Sequence, residues 1–583
     1  MIFHAFSTRF ALAWICITVA VTLNAQIETG EALQKRLKEF AASTQTELTI
    51  PPGIYRLPKE GIELKKLRDK TLHATGVTLV GTSLESSALR LQNCVNVKLV
   101  GLTIDYDPLP FTQGHLTSVD KKARTAEFEI STGYPELSDI YLERKNIHIF
   151  EPEAHRWKAN VPDYYPKKIE RLSPTQGRLF FSEGIEEVSA LAVGDRLVLN
   201  VRGTQGILIG EGCSGLDFED VTLHSAPGIG ILIRFAEEAG TYTNLRVIPG
   251  PKPEGATEER LFSTSADAFN AAYVRKGPTL KNCDFSFMGD DAVNLHGVMM
   301  PVVKWLDDRS FISMRSHRSD RFDRLIRPGD ELRFLKEPAY EISARAKVKK
   351  IEYLDATAKS FEVDAQKIWP TLKEGGKAAF FIIQLEESVS GVAPGDFCDV
   401  PATSAPGFSI SDSYFHDHRA RGLRLMSNDG LVENNRFERL KGVAITVGPE
   451  YAFWREAGWC SHIVIRGNRI TDVGQGTNLQ QRTSYTTGAI TVMGRVEPQK
   501  ENTRFFLGNE KIQIVDNKIN GCSVNGISIC AAKEVTVRHN TLKRVNLVKN
   551  PKMGADYGLT EQKPISVQQA ETTVEGNQIE GEK

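Results

Sequence analysis

The chain has 583 residues, 25% of them charged, with 72 Lys and Arg against 73 Asp and Glu. A chain so near neutrality has no electrostatic claim on nucleic acid or anionic membranes, and its length allows more than one domain. Its eight cysteines are scattered singly without a Cys-x-x-Cys pair, so they do not form a disulfide framework.

In chain order, Arg9 precedes an apolar run from Phe10 to Leu23 that ends in Leu23-Asn24-Ala25. The run is short for a membrane span and is followed by a small residue, so residues 1–25 are expected to be a secretory signal. The mature chain would then be periplasmic or secreted, with no membrane span. It would carry 71 basic and 73 acidic residues and seven cysteines, several packing as small hydrophobes.

Residues 30–43 are expected to form a short helix with Leu33, Leu37 and Phe40 on one face. Beyond it, short apolar strands recur between single Gly, Asn or Asp residues. Examples are Val97–Ile104, Gly215–Leu223, Ile463–Ile470 and Ile512–Asn517. Two or three such strands in each ~20–25 residues predict a parallel β-solenoid, whose coils bury apolar side chains only by stacking. Asn at the turns suits left-handed backbone and can bond its own main chain. A sandwich would need hairpin signals every ~8–12 residues, and few are present.

Two stretches, 111–203 and 300–402, break the repeat with longer alternating strands. They share the phrases Val193-Gly194-Asp195-Arg196 and Pro328-Gly329-Asp330-Glu331. The expected fold is all-β: a right-handed parallel β-helix with two small inserted β-barrel-like domains. Its parts are a signal (1–25), a cap and first coils (26–110), the first insertion (111–203), coils carrying the acidic cluster (204–299), the second insertion (300–402) and C-terminal coils (403–583). The insertions are placed to wall a cleft.

That cluster is Asp267, in Ser265-Ala266-Asp267-Ala268-Phe269-Asn270, with Asp290 and Asp291 in Gly289-Asp290-Asp291-Ala292-Val293-Asn294-Leu295-His296-Gly297. The step from 267 to 290 is 23 residues, as is the step from Asn517 to Asn540. If 23 residues make one coil, Asp267 and Asp290 are neighbours ~4.8 Å apart on stacked strands, with Ala268 under Asp291. Strict alternation turns Asp291 inward, so Gly289 is expected to place the pair on a turn, with Asn294 and His296 extending the polar face. Crowded carboxylates share protons unequally, which suits the acid and base of glycoside hydrolysis. A turn cap or a calcium site is the plainer alternative.

Aligning Phe285 with Phe415 sets Val293 and Leu295 beside Leu423 and Leu425, Arg421 beside Asp291, and Arg424 beside Asn294. Arginines there would lower a neighbouring carboxylate's pKa or bind sugar hydroxyls. His416-Asp417-His418 has two histidines on one strand face, but nothing else has ligand spacing. His418 is therefore expected to bond substrate and not a metal. Glu450 and Trp454, with Tyr451, Glu456 and Trp459, are expected to form an aromatic and acidic sugar platform.

The segments Asp105-Tyr106-Asp107-Pro108-Leu109-Pro110-Phe111-Thr112-Gln113-Gly114, Ala266–Asn270 and Gly289–Gly297 together resemble glycoside hydrolase family 110, over essentially the whole mature chain. These are bacterial exo-α-1,3-galactosidases acting on blood group B and linear α-1,3-galactosyl glycans. The resemblance implies an inverting enzyme without a cofactor, similar in fold to polygalacturonases, acting on an oligosaccharide. It places Asp267, Asp290 and Asp291 as catalytic carboxylates, with Asp290 as general acid and the other two activating water. Asn294, His296, His418, Arg421, Arg424, Glu450 and Trp454 are the expected substrate contacts, with no metal ligands. The rival readings are a polygalacturonase- or lyase-like enzyme on an acidic polysaccharide, for which Arg419, Arg421 and Arg424 speak, and a non-catalytic carbohydrate-binding solenoid.

Overall fold

The structure, a computed structural model, describes residues 29–580 apart from 144–145, 160, 183–187, 316–319, 357–377, 453, 476–486, 495–504 and 549–558. The expected secretory signal lies outside the described residues. No helix among them is long and apolar enough to cross a membrane.

The helix Gly30–Ala42 starts where the Thr29 hydroxyl accepts from the Ala32 amide, and it buries Leu33, Leu37 and Phe40. That apolar stripe packs on the strands Gly53–Arg56 and Ile62–Lys65 of the first coil. From there the parallel β-helix expected from the repeat is the architecture found. Each short strand pairs in parallel with its counterpart one coil away, as Phe285 does with Phe415 and Lys518 with Thr541. Inward apolar side chains stack into a continuous core, including Ile231, Phe269, Val293, Leu423, Ile445, Ile490 and Ile527. Cys94, Cys213 and the other five cysteines of residues 26–583 are buried as thiols.

The coils are not of constant length. Ile207 pairs with Ile231, but Ile231 pairs with Phe269 and Phe269 with Val293. Extra residues are looped out at the corners while the strands keep their stacking. Asparagines hold the other corner. Asn435, Asn468, Asn517 and Asn540 each donate through Nδ2 to the Oδ1 of the next, ending on Asn577. These asparagines are not themselves left-handed. Asp516 and His539, just before two of them, take φ of 57° and 55° and aim the following amide inward.

The first insertion is a six-stranded antiparallel sheet that includes Phe111–Asp120, Thr125–Ile130 and Arg196–Asn200. The second closes into a ring of antiparallel pairings. Its strands are Ser310–Arg315, Ala379–Leu385, Glu341–Leu354, Glu331–Lys336 and Phe397–Asp399, with the far half of Val293–Trp305 completing the circuit. The shared Gly-Asp phrases are one turn used twice. Gly194 and Gly329 take φ near 90°, and the Asp195 and Asp330 carboxylates accept from the Ala192 and Arg327 amides three residues back.

The strand Val293–Trp305 serves both bodies. Its first residues belong to a coil, between Phe269–Ala272 and Leu423–Met426, and its last belong to the inserted ring. The second insertion is thereby rigidly continuous with the strand that follows Asp290 and Asp291.

Candidate active site

The cluster forms where three stacked segments end in irregular backbone just before their strands. Asp267 precedes Phe269–Ala272, Asp290 and Asp291 precede Val293, and Arg421 precedes Leu423. The register differs from the expected one. Phe269 pairs with Val293, so the step is 24 residues and Asp267 stands opposite Asp291, not Asp290. The Ala268 amide donates to the Asp291 carbonyl at 3.0 Å, which fixes that pairing. The next coil aligns as expected, with Asn294 beside Arg424 and therefore Asp291 beside Arg421. The left-handed residue of the turn is Phe287, at φ 61°. Gly289 is needed for a different reason: a Cβ there would meet the Ser265 carbonyl at 2.7 Å.

One oxygen from each of Asp267, Asp290 and Asp291 lies within 4.8 Å of the others. Their surroundings are unequal. Asp291 is 1% exposed, and Arg421 clamps it through the backbone amide at 2.9 Å and two guanidinium bonds at 2.9 and 2.7 Å. Asp290 accepts from Arg202 at 3.1 Å and from Arg419 at 3.2 Å. Burial pushes the Asp290 carboxyl up, but Arg419, Arg202 and Arg421 outweigh it and hold the group below the usual carboxylate range. Among the described residues no arginine bonds Asp267, which accepts from Asn270 Nδ2 at 2.7 Å. Burial, then Asp290 and Asp291, push its carboxyl well above the usual range. Asp267 therefore holds a proton more tightly than Asp290 does. Three carboxylates this close can also share a cation, but Arg202, Arg419 and Arg421 already supply the counter-charge.

Along the strands from the carboxylates, the outward positions form polar rows. Asn270 pairs with Asn294, and Arg234 lies two pairings from His296 through Ala272. The Oδ1 atoms of Asn270 and Asn294 are buried without a hydrogen-bond partner among the described residues. His296 is 4% exposed, and burial, then Arg234, hold its imidazole neutral, well below its usual pKa. Glu456, 3.9 Å from His296, comes from a strand that pairs antiparallel with Val298, and burial pushes its carboxyl up to about 7.

Several expected substrate contacts are buried among protein partners. Arg424 and Glu450 are 1% and 0% exposed and bond each other at 2.9 Å, so in this structure they form an internal ion pair beneath the face. His418 is fully buried, and burial, then His416, push it down to about 3. It does not share a face with His416, because Asp417 between them is left-handed, at φ 48°. His416 instead bonds Asp417 and Asp284. Tyr451 and Trp459 are core residues packed against the second insertion, and of the expected aromatic platform only Trp454 is exposed, at 58%.

Residues absent from the expected site complete it: Arg202 at the exit of the first insertion, Asp163 within it, Arg234 and Asn270, while Glu456, expected in the sugar platform, stands 3.9 Å from His296. Of the four absent ones only Asn270 carried a signal, through its motif; the others arrive by long-range packing. The segment Asp105–Gly114 acts at one remove. Asp105 accepts from Arg260 at 2.9 Å, and Gln113 bonds the Glu259 carbonyl and the Leu261 amide at 2.9 Å each, fixing the loop that leads to Asp267.

No family model matches the chain. It is 26% identical over 561 residues to a protein named α-1,3-galactosidase B from Phocaeicola vulgatus, covering 89% of each chain. A second α-1,3-galactosidase B, from Parabacteroides distasonis, is 27% identical over 77% of this chain and 71% of its own. An α-1,3-galactosidase A from Bacteroides fragilis is 22% identical over 75% and 68%. An exopolygalacturonase structure from Thermotoga maritima covers 95% of this chain and 88% of its own at 11% identity. Its TM-score of 0.38 is too distant a likeness to carry chemistry across. Similarity over 75–89% of the chain to proteins named as galactosidases agrees with the resemblance to family 110 that the motifs carry, and the chain is a glycoside hydrolase.

Proposed function

We propose that the protein removes terminal α-1,3-linked galactose from glycans, of blood group B type, linear type or both, and that Asp267, Asp290 and Asp291 perform the chemistry. The observation that carries this reading is the trio itself: three converging carboxylates with unequal proton affinities, in a chain similar over most of its length to named α-1,3-galactosidases. Asp290 is the acid. Its side chain is 19% exposed, against 1% for Asp291, so it can reach the leaving oxygen. Because the proton is held more tightly on Asp267 than on Asp290, Asp290 takes its proton from Asp267 or from solvent when substrate weakens the arginine contacts. Asp267 and Asp291, opposite each other, frame the water that attacks.

The sugar lies along the outward rows. Its hydroxyls donate to the unpartnered Oδ1 atoms of Asn270 and Asn294, while His296 and Glu456 contact its far edge. Trp454 offers an exposed ring for a more distant sugar. The Glu456 strand and the second insertion stand at one end of these rows, which supports removal of single terminal residues. The chain is exported before it meets such glycans.

Turnover of linear α-1,3-galactobiose and the branched B trisaccharide, followed by NMR, tests the proposal. β-Galactose as the first product indicates inversion. The crowding of the carboxylates, one oxygen of each within 4.8 Å of the others, gives a second reading, retention through a glycosyl-enzyme. α-Galactose appearing first selects it, and no release from either sugar defeats the proposal.

A further inference from the structure

The first insertion reaches into the site by a route that the reaction scheme above does not use. Arg419, which touches Asp290 Oδ1 at 3.2 Å and the Gly289 carbonyl at 3.2 Å, also forms a short contact with Asp163 of that insertion. The other Asp163 oxygen accepts from Lys441 at 2.9 Å, and Lys441 is fixed again on the Pro162 carbonyl at 3.0 Å. The loop is anchored independently: Trp157 donates to the Asp417 carbonyl at 2.8 Å, and His155 stacks on Phe287 at 4.4 Å. The second cation on Asp290, Arg202, follows the last strand of the same insertion. Both cations that hold Asp290 are thus governed by the insertion, one directly and one through Asp163.

We infer that Asp163 is a positioning residue for Asp290, restraining Arg419 so that Asp290 is held without being fully captured. The charge arithmetic gives the reason. Arg419 and Lys441 are adjacent cations with side chains 16% and 8% exposed, and Asp163 is the anion between them. With its charge divided between Asp163 and Asp290, Arg419 makes one long bond to Asp290. With Asp163 neutral, Arg419 is free to turn both nitrogens onto Asp290, the geometry that binds a carboxylate most strongly. The other charged groups facing Asp290 are Asp267 and Asp291 from its own and the preceding coil, and Arg202 and Arg421; His418 is neutral. None of them replaces Asp163 as Arg419's second anion.

This inference rests on Asp290 being catalytic. The test compares the whole protein with Asp163→Asn and Asp163→Glu on α-1,3-galactobiose across pH. Asp163→Asn should lower kcat about tenfold with KM little changed, and move the pH limb that reports Asp290 toward acid, a unit of pKa corresponding to about a factor of ten. Asp163→Glu should recover part of both. An unchanged kcat and profile in active protein overturns the inference while leaving the galactosidase reading intact. Wild-type protein that hydrolyses no α-1,3-galactoside defeats that reading instead. Thermal unfolding of Asp163→Asn, Asp290→Asn and the double variant then decides the coupling without substrate. Non-additive shifts support it, and additive shifts reject it.

Discussion

Asp267 and Asp291 stand opposite each other in adjacent coils, joined by the bond from the Ala268 amide to the Asp291 carbonyl at 3.0 Å. Arg421 clamps Asp291, whereas Asp267 faces two carboxylates and, among the described residues, is bonded by Asn270. The register therefore sorts the charges: one carboxylate clamped, one buried with its proton affinity raised, and Asp290 displaced from the pair toward Arg202 and Arg419.

The first prediction concerns stability. The folded protein raises the Asp267 pKa above its unfolded value of ~3.9, so Asp267's favourable contribution is complete below that pH and is lost as pH rises through the folded value. Asp267→Asn, which cannot ionise, should unfold at a higher temperature than wild type at pH 8 and at a similar temperature at pH 4. Hydrolysis should be abolished. Calorimetry at the two pH values checks this; equal shifts at both would show that Asp267 is not strained by its charge.

The second prediction separates acid from base. A substrate with a good leaving group, such as α-galactosyl fluoride, needs no protonation at the departing atom. Asp290→Asn should keep much of its activity on the fluoride while losing α-1,3-galactobiose, and Asp267→Asn and Asp291→Asn should lose both. The reverse pattern, with Asp267→Asn retaining the fluoride activity, would make Asp267 the general acid.

The solenoid was legible because stacking imposes a pattern on every coil: Val293, Leu295, Leu423 and Leu425 point inward in the expected register. The 23-residue step holds for Asn517 and Asn540 but not for the aspartates, because coil length varies at the corners while strand pairing does not. Arg424 and Glu450 read as substrate contacts since polar residues on outward positions usually face solvent. Here the two side chains turn onto each other at 2.9 Å and are almost fully buried. Arg202 and Asp163 were beyond reach, because their approach to Asp290 depends on the docking of an insertion whose periodicity says nothing of its orientation.

A third prediction tests the Arg421 clamp. Its bond pattern, one backbone amide and two guanidinium nitrogens on Asp291, needs a planar fork. Arg421→Lys keeps the charge and loses the fork. It should lower kcat by about tenfold or more through misplacement of Asp291, with global stability reduced by only ~1 kcal/mol. A drop in activity matched by a large loss of melting temperature would make Arg421 structural instead.

The buried pair Arg424–Glu450 makes the last prediction. Both side chains are almost fully removed from water, and Arg424 also donates to the Gly448 carbonyl at 3.1 Å. Removing one partner leaves a buried charge without its counterion, which costs about 3–5 kcal/mol, whereas replacing both by apolar groups of similar size is often close to neutral. Glu450→Gln and Arg424→Met should each shift the urea midpoint strongly downward, and Arg424→Met with Glu450→Leu should recover most of the loss. Galactose binding by the double variant then decides the role of the pair. Affinity near that of wild type means the pair supports the floor beneath Asn294. Lost affinity in a well-folded double variant would return Arg424 and Glu450 to direct contact with the sugar.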